Sequence, residues 1–171
     1  MEVGPDGGLY VLDWHDADIC GKEVLNGETG RIFRIMPEKN LAQKFENRFE
    51  DLSKLSDLQL VNFQTSNSDW HSRRARTLLQ NRVLTNKLNS DALEKLQEIL
   101  IKNENIAFQL KALWTLHITN NLPKEQLFTL LSNNNEYLRA WAIQLLCEDK
   151  KPNNEAITKF IEMAKTDSSP V

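Results

Sequence analysis

From Asn134 to Asp149 the chain reads NNEYLRAWAIQLLCED, and its apolar residues fall on helical spacings. Leu138, Trp141, Ala142, Leu145 and Leu146 make one wide apolar face. The asparagines before it are N-cap candidates, and Glu136 sits in the first turn, where a carboxylate suits the helix dipole. Within this stretch a basic residue is followed by a small one, Arg139-Ala140. The same pair recurs as Lys111-Ala112 in ENIAFQLKALWTLHI and as Arg74-Ala75 in SDWHSRRARTLLQ. An aromatic precedes each pair: Trp70, Phe108 and Tyr137. The small residue lets a neighbouring helix approach, so Ala112 and Ala140 are expected to be buried at helix–helix contacts.

Each of these helices follows another apolar helix with a polar opening. The openings are Ser56-Asp57, Ser90-Asp91 and Pro123-Lys124-Glu125, and a fourth stands at Asn154-Glu155. From Asp57, Asp91, Lys124 and Glu155 the steps are 34, 33 and 31 residues by subtraction. That period suits two-helix solenoid units. From about Asp51 onward the chain resembles the HEAT-like repeat family. An ordinary helical bundle with accidental periodicity is the alternative. The C-terminal TDSSPV resembles the turn inside a fourth unit whose second helix is missing, so a truncated array is expected.

The N-terminal part follows a different pattern. GPDGG, Gly4 to Gly8, is a Pro-Asp-Gly turn. Leu9 to Trp14 alternates as a strand, with Leu9, Val11 and Asp13 on one face and Tyr10, Leu12 and Trp14 on the other. GRIFRI, Gly30 to Ile35, alternates again, and Pro37 ends it. A polar connection, His15 to Thr29, joins them. Two such strands are marginal alone and call for partners. The expected organisation is therefore a β element over residues 1–37, a polar linker over 38–52 that turns helical, and helical repeats over 53–171. The fold class is mainly α: an α-solenoid of HEAT-like pairs preceded by a short antiparallel β-hairpin.

PDGGLYVLDW followed by TGRIFRI resembles the last blade of a sugar-dehydrogenase-like β-propeller. A blade end followed by helical repeats is similar to the large bacterial multidomain proteins of the membrane-bound or haem-binding dehydrogenase type. The resemblance implies a periplasmic or cell-surface parent that oxidises a sugar or alcohol at a propeller cofactor, pyrroloquinoline quinone (PQQ), and passes electrons to haem c. It implies no cofactor in this chain. The departures are plain: half a blade stands where a propeller needs several, and there is no Cys-x-x-Cys-His haem attachment. The missing propeller and repeat segments of the parent, or another protein, are the expected partners. A free-standing HEAT-like module that binds protein or nucleic acid is the alternative.

Composition narrows these readings. The 171 residues are 40% hydrophobic and 26% charged, which suits one or two globular domains. A net charge of -3 gives no bulk attraction to nucleic acid or anionic lipid. No apolar run is long enough to span a membrane, and the N-terminus lacks a secretory-signal pattern. Cys20 and Cys147 form no disulfide framework or metal spacing; Cys20 falls in a loop, and Cys147 reads as a small buried hydrophobe.

Candidate chemistry is sparse. Asp13, His15, Asp16, Asp18 and Glu23 cluster acidic groups around one histidine, the only metal-ligand candidates, although a solvated loop is the favoured reading. His71 and His117 lie on repeat helices, with His117 expected to be partly buried and hydrogen-bonded. Arg73, Arg74 and Arg76 read as a solvated basic face, with Asp69 the expected ion-pair partner of Arg73. Trp70, Trp114 and Trp141 stand at apolar spacing, which favours core packing over a binding groove. No catalytic or cofactor-binding residue emerges: there is no phosphate loop, serine elbow or paired-carboxylate motif. Leu9, Val11, Ile32, Phe33, Ile157, Phe160 and Ile161 are expected to be more exposed here than in the parent and to promote self-association.

Overall fold

The computed structural model describes residues 1–13, 30–39 and 48–171. The chain is mainly helical, with a small antiparallel sheet at the N-terminal end. Three strands form the sheet in the order β1 (Glu2–Val3), β2 (Leu9–Asp13), β3 (Arg31–Ile35). The sequence reading had a two-stranded hairpin. The extra strand has only two residues, too few for an alternation to show.

The β1–β2 hairpin turns on Pro5-Asp6-Gly7. The Gly7 N–H donates to the Gly4 carbonyl at 3.0 Å, and the Gly4 N–H donates to the Gly8 carbonyl at 2.9 Å. Gly7 has φ of 73°, the left-handed backbone that glycine adopts without a Cβ clash. Asp6 is buried inside this turn. Its carboxylate accepts from the Gly8 N–H and the Tyr10 hydroxyl, both at 3.0 Å, and pairs with Arg34 at 2.5 Å. Tyr10 and Arg34 face each other across β2 and β3, so one carboxylate ties the turn to both strands.

Burial pushes the Asp6 carboxyl up. The hydrogen bonds from Gly8 and Tyr10 and the Arg34 guanidinium outweigh it and hold the group below its ordinary range. A depressed folded-state value means that the contribution is present above the unfolded value, near ~3.9, and is lost as pH falls through the folded one. Acid below about pH 3.9 should therefore loosen this turn. Asp6→Asn should loosen it at neutral pH and abolish that acid dependence. The NMR signals of Gly8 and Tyr10 report both. An unchanged pH profile in the variant would rule out Asp6 as the titrating group.

Register is as the alternation predicts. Leu9, Val11 and Asp13 stand opposite Ile35, Phe33 and Arg31, while Tyr10 and Leu12 stand opposite Arg34 and Ile32. Leu12, Ile32, Phe33 and Ile35 are exposed, and Leu9 and Val11 are half-buried.

Seven α-helices follow among the described residues: α1 (Asp57–Asn62), α2 (Asp69–Val83), α3 (Ser90–Lys102), α4 (Ile106–Ile118), α5 (Lys124–Leu130), α6 (Glu136–Leu146) and α7 (Asn154–Thr166). Their starts are written in side chains. Ser56 and Gln59 form a reciprocal capping box on α1. Ser68, Asn105, Asn135 and Asn153 cap α2, α4, α6 and α7. Each satisfies a backbone N–H that the helix itself leaves orphaned.

α1 packs on α2, α3 on α4, and α5 on α6; between pairs, α1 meets α3, α2 meets α4, and α4 meets α6. The first helices of successive pairs thus touch at one level and the second helices at another. Gln97 of α3 and Gln126 of α5 exchange amide hydrogen bonds at 3.1 and 2.7 Å, extending the first level. One core cluster runs from Leu52 to Ala142, and no residue of the sheet belongs to it.

The small residues in that core correct the sequence alignment. Ala75, Ala112 and Ala142 are each the seventh residue of α2, α4 and α6, and each is fully buried. Ala140 is only half-buried. The basic-then-small pair thus marks the right place in α2 and α4 but stands one half-turn early in α6. Phe160 is half-buried, whereas Ile157 and Ile161 are exposed, as expected.

Candidate functional site

The second-level helices α2, α4 and α6 carry most of the polar and aromatic features worth testing. Their organising group is Lys111 of α4, a lysine with only 9% exposure. Its ammonium donates to the Ser66 carbonyl at 3.0 Å and the Ser72 hydroxyl at 3.2 Å, and pairs with Asp69 at 2.9 Å. Ser72 in turn donates to the Phe63 carbonyl at 2.7 Å, and Gln64 donates to the Ser72 carbonyl at 3.2 Å. A buried ammonium needs this set of acceptors to replace water. The network joins the α1–α2 turn, the start of α2 and the middle of α4.

This arrangement corrects the expected Asp69–Arg73 pair. Asp69 pairs with Lys111, whose hydrogen bond is the main reason that its carboxyl titrates below the usual range. Arg73 Nε reaches only the Asp69 backbone carbonyl, at 3.4 Å. Nor is the basic run simply a solvated face. Arg73 and Arg74 are exposed, but Arg76 is half-buried, its guanidinium 5.2 Å from the centroid of the Trp114 ring. Burial, then the neighbouring Arg73 charge, lowers the Arg76 pKa, against the opposing pull of Asp69. Arginine stays charged at any ordinary pH all the same.

Trp114 in turn meets Trp141 edge to face, with ring centroids 4.9 Å apart. Arg76, Trp114 and Trp141 therefore make a ladder across α2, α4 and α6. Two of its donors, Arg76 Nη1 and Trp114 Nε1, are shut from solvent and have no acceptor among the described residues. A buried donor left unsatisfied costs about 1–3 kcal/mol. Trp70 and Trp141 pack against the core as expected.

An open cavity of about 480 Å³ lies along α2. Trp70, Arg73, Arg74 and Thr77 of α2 line it together with Glu2 of β1 and Glu50 to Ser53. Its opposed charges and open mouth give no catalytic arrangement of nucleophile, base and orienting group.

The histidines are structural in their surroundings. His71 is buried, with Nδ1 2.7 Å from the Ser68 cap hydroxyl, and its ring stacks on Phe63 and meets the edge of Trp70. His117 is half-buried and bonds Glu148 at 2.7 Å, as the sequence led one to expect. Cys147 caps the end of α6 and is half-buried rather than buried.

Of the metal-ligand candidates, Asp13 ends β2 opposite Arg31. His15, Asp16, Asp18 and Glu23 lie outside the described residues, as does Cys20. No group of three or more His, Cys, Asp or Glu side chains suited to a metal occurs among the described residues. No helix there is long and apolar enough to cross a membrane. No protein-family model, curated protein or solved structure matches this chain.

Proposed function

We propose that this chain is a non-catalytic scaffold of HEAT-like helix pairs, a segment of a dehydrogenase-type protein that holds its partners by surface contact. The packing carries the reading: helix pairs start at Asp57, Ser90 and Lys124, and contact one another first helix to first and second to second. Equivalent alanines at the seventh position of α2, α4 and α6 support it. The dehydrogenase parent, with PQQ and haem c held elsewhere and a periplasmic or cell-surface location, rests on the resemblance of Gly4 to Pro37 to a propeller blade end.

Purified chain should oxidise no sugar, alcohol or aldehyde above a no-protein control, with or without added PQQ, when a dye acceptor is followed. Turnover that disappears on Asp13→Asn would overturn the scaffold reading. A free-standing binding module is the second reading, favoured by the unsatisfied donors at Arg76 and Trp114. Propeller-coding sequence in the same reading frame upstream would decide for the dehydrogenase parent over the free-standing module.

A further inference from the structure

We propose that the Arg76–Trp114–Trp141 ladder docks an acidic peptide segment of a partner protein, with one carboxylate taken by Arg76 and the Trp114 indole N–H. This deepens the scaffold reading and rests on it.

Charge is the first argument. Arg73, Arg74 and Arg76 fall within about one turn of α2, and Lys111 of α4 reaches the start of that helix at Asp69. The carboxylate among them, Asp69, is held by Lys111. Glu2, Glu50 and Asp51 line one cavity together with Arg73 and Arg74 and offset their charge, and Arg76 does not line it. The chain's other well-placed arginines are occupied: Arg82 by Asp57 at 2.7 Å, and Arg139 by both oxygens of Asp167. Arg76 has an aromatic ring beneath it and no carboxylate bonded to it.

Donor geometry is the second. Arg76 Nη1 and Trp114 Nε1 belong to one stacked pair, and neither has an acceptor among the described residues. Both are shut from solvent, so a carboxylate reaches them only when the half-buried Arg76 side chain turns off the indole. Guanidinium forks match carboxylates in this way, and arginine clusters serve acidic motifs elsewhere. The Trp114 and Trp141 rings then offer an apolar bed for the side chain beside the carboxylate. Nucleic acid fits less well, since it needs several phosphate contacts along a continued track. Here the cations cluster on α2 and α4, Arg139 of α6 is taken by Asp167, and the whole chain is net negative.

The test titrates the full chain with a fluorescein-labelled, N-acetylated, C-amidated peptide bearing two glutamates around a leucine. Controls are its lysine twin and a short oligothymidylate. The glutamate peptide should bind saturably, and the Trp114 indole N–H proton signal, assigned with Trp114→Phe, should move with it. Arg76→Gln should weaken binding by about tenfold or more. Arg76→Lys, which keeps the charge and loses the fork, should weaken it too. Equal binding of the lysine twin, tighter binding of the oligonucleotide, or a stationary Trp114 signal would overturn the proposal. So would the absence of any binding, and that result would leave the scaffold reading standing, because the turnover assay judges it separately.

Discussion

Leu113→Ala should lower the unfolding free energy by about 2–5 kcal/mol. Leu113 lies in the middle of α4 and has no exposed surface. α4 is the helix that meets α2, α3 and α6, and Leu113 belongs to the core cluster they share. A site enclosed on several sides cannot collapse freely, and the cavity it keeps adds to the lost transfer energy. Leu84→Ala, at the 80% exposed end of α2, is the matched control and should change stability by no more than about 0.5 kcal/mol. Urea titration followed by far-UV circular dichroism measures both. Equal midpoints for the two variants would mean that α4 is not the centre of the stack.

The second large effect belongs to Lys111. Lys111→Met keeps the apolar stem and removes the ammonium, leaving the Ser66 carbonyl and Ser72 hydroxyl short of a donor. Hydrogen bonds to charged groups are worth about 1.5–3 kcal/mol, and the expected loss is about 2–3 kcal/mol. Asp69→Asn should cost under about 1 kcal/mol, because its side chain is 72% exposed and water replaces much of the pair. The asymmetry is the diagnostic outcome. If both variants lost the same amount, the Lys111–Asp69 ion pair would matter and the buried acceptors would not.

Much of the helical part was legible because two local signals coincide. Apolar spacing marks the buried stripe, and a serine or asparagine marks the start, as at Ser56, Ser68, Asn105 and Asn135. The strand register was legible for a similar reason, since Leu9 to Asp13 and Arg31 to Ile35 alternate. α6 was misaligned because Arg139-Ala140 copies the residue types of Lys111-Ala112 but not their place in the helix. Counting from the cap at Asn135 instead leads to Ala142. Arg139 has another task, gripping Asp167 beyond α7 and the carbonyls of Asn133 and Asn134.

The site was harder to see. Partner choice across 42 residues decides Asp69, and sequence neighbours suggested Arg73. Nothing local says that Arg76 lies on an indole rather than in water, because long side chains can bury a stem and leave the head outside. The Trp114–Trp141 contact likewise depends on how α4 and α6 stack.

The stack of equivalent helix pairs is tested most directly by Ala142→Leu against Ala140→Leu, compared by thermal and urea unfolding. Ala142 should share the sealed position of Ala75 and Ala112, so the added methylenes should cost about 1–3 kcal/mol. Ala140 is half-buried, and its variant should cost clearly less. A tolerated Ala142→Leu beside a costly Ala140→Leu would contradict the alignment of α6 with α2 and α4, and with it the proposed repeat architecture.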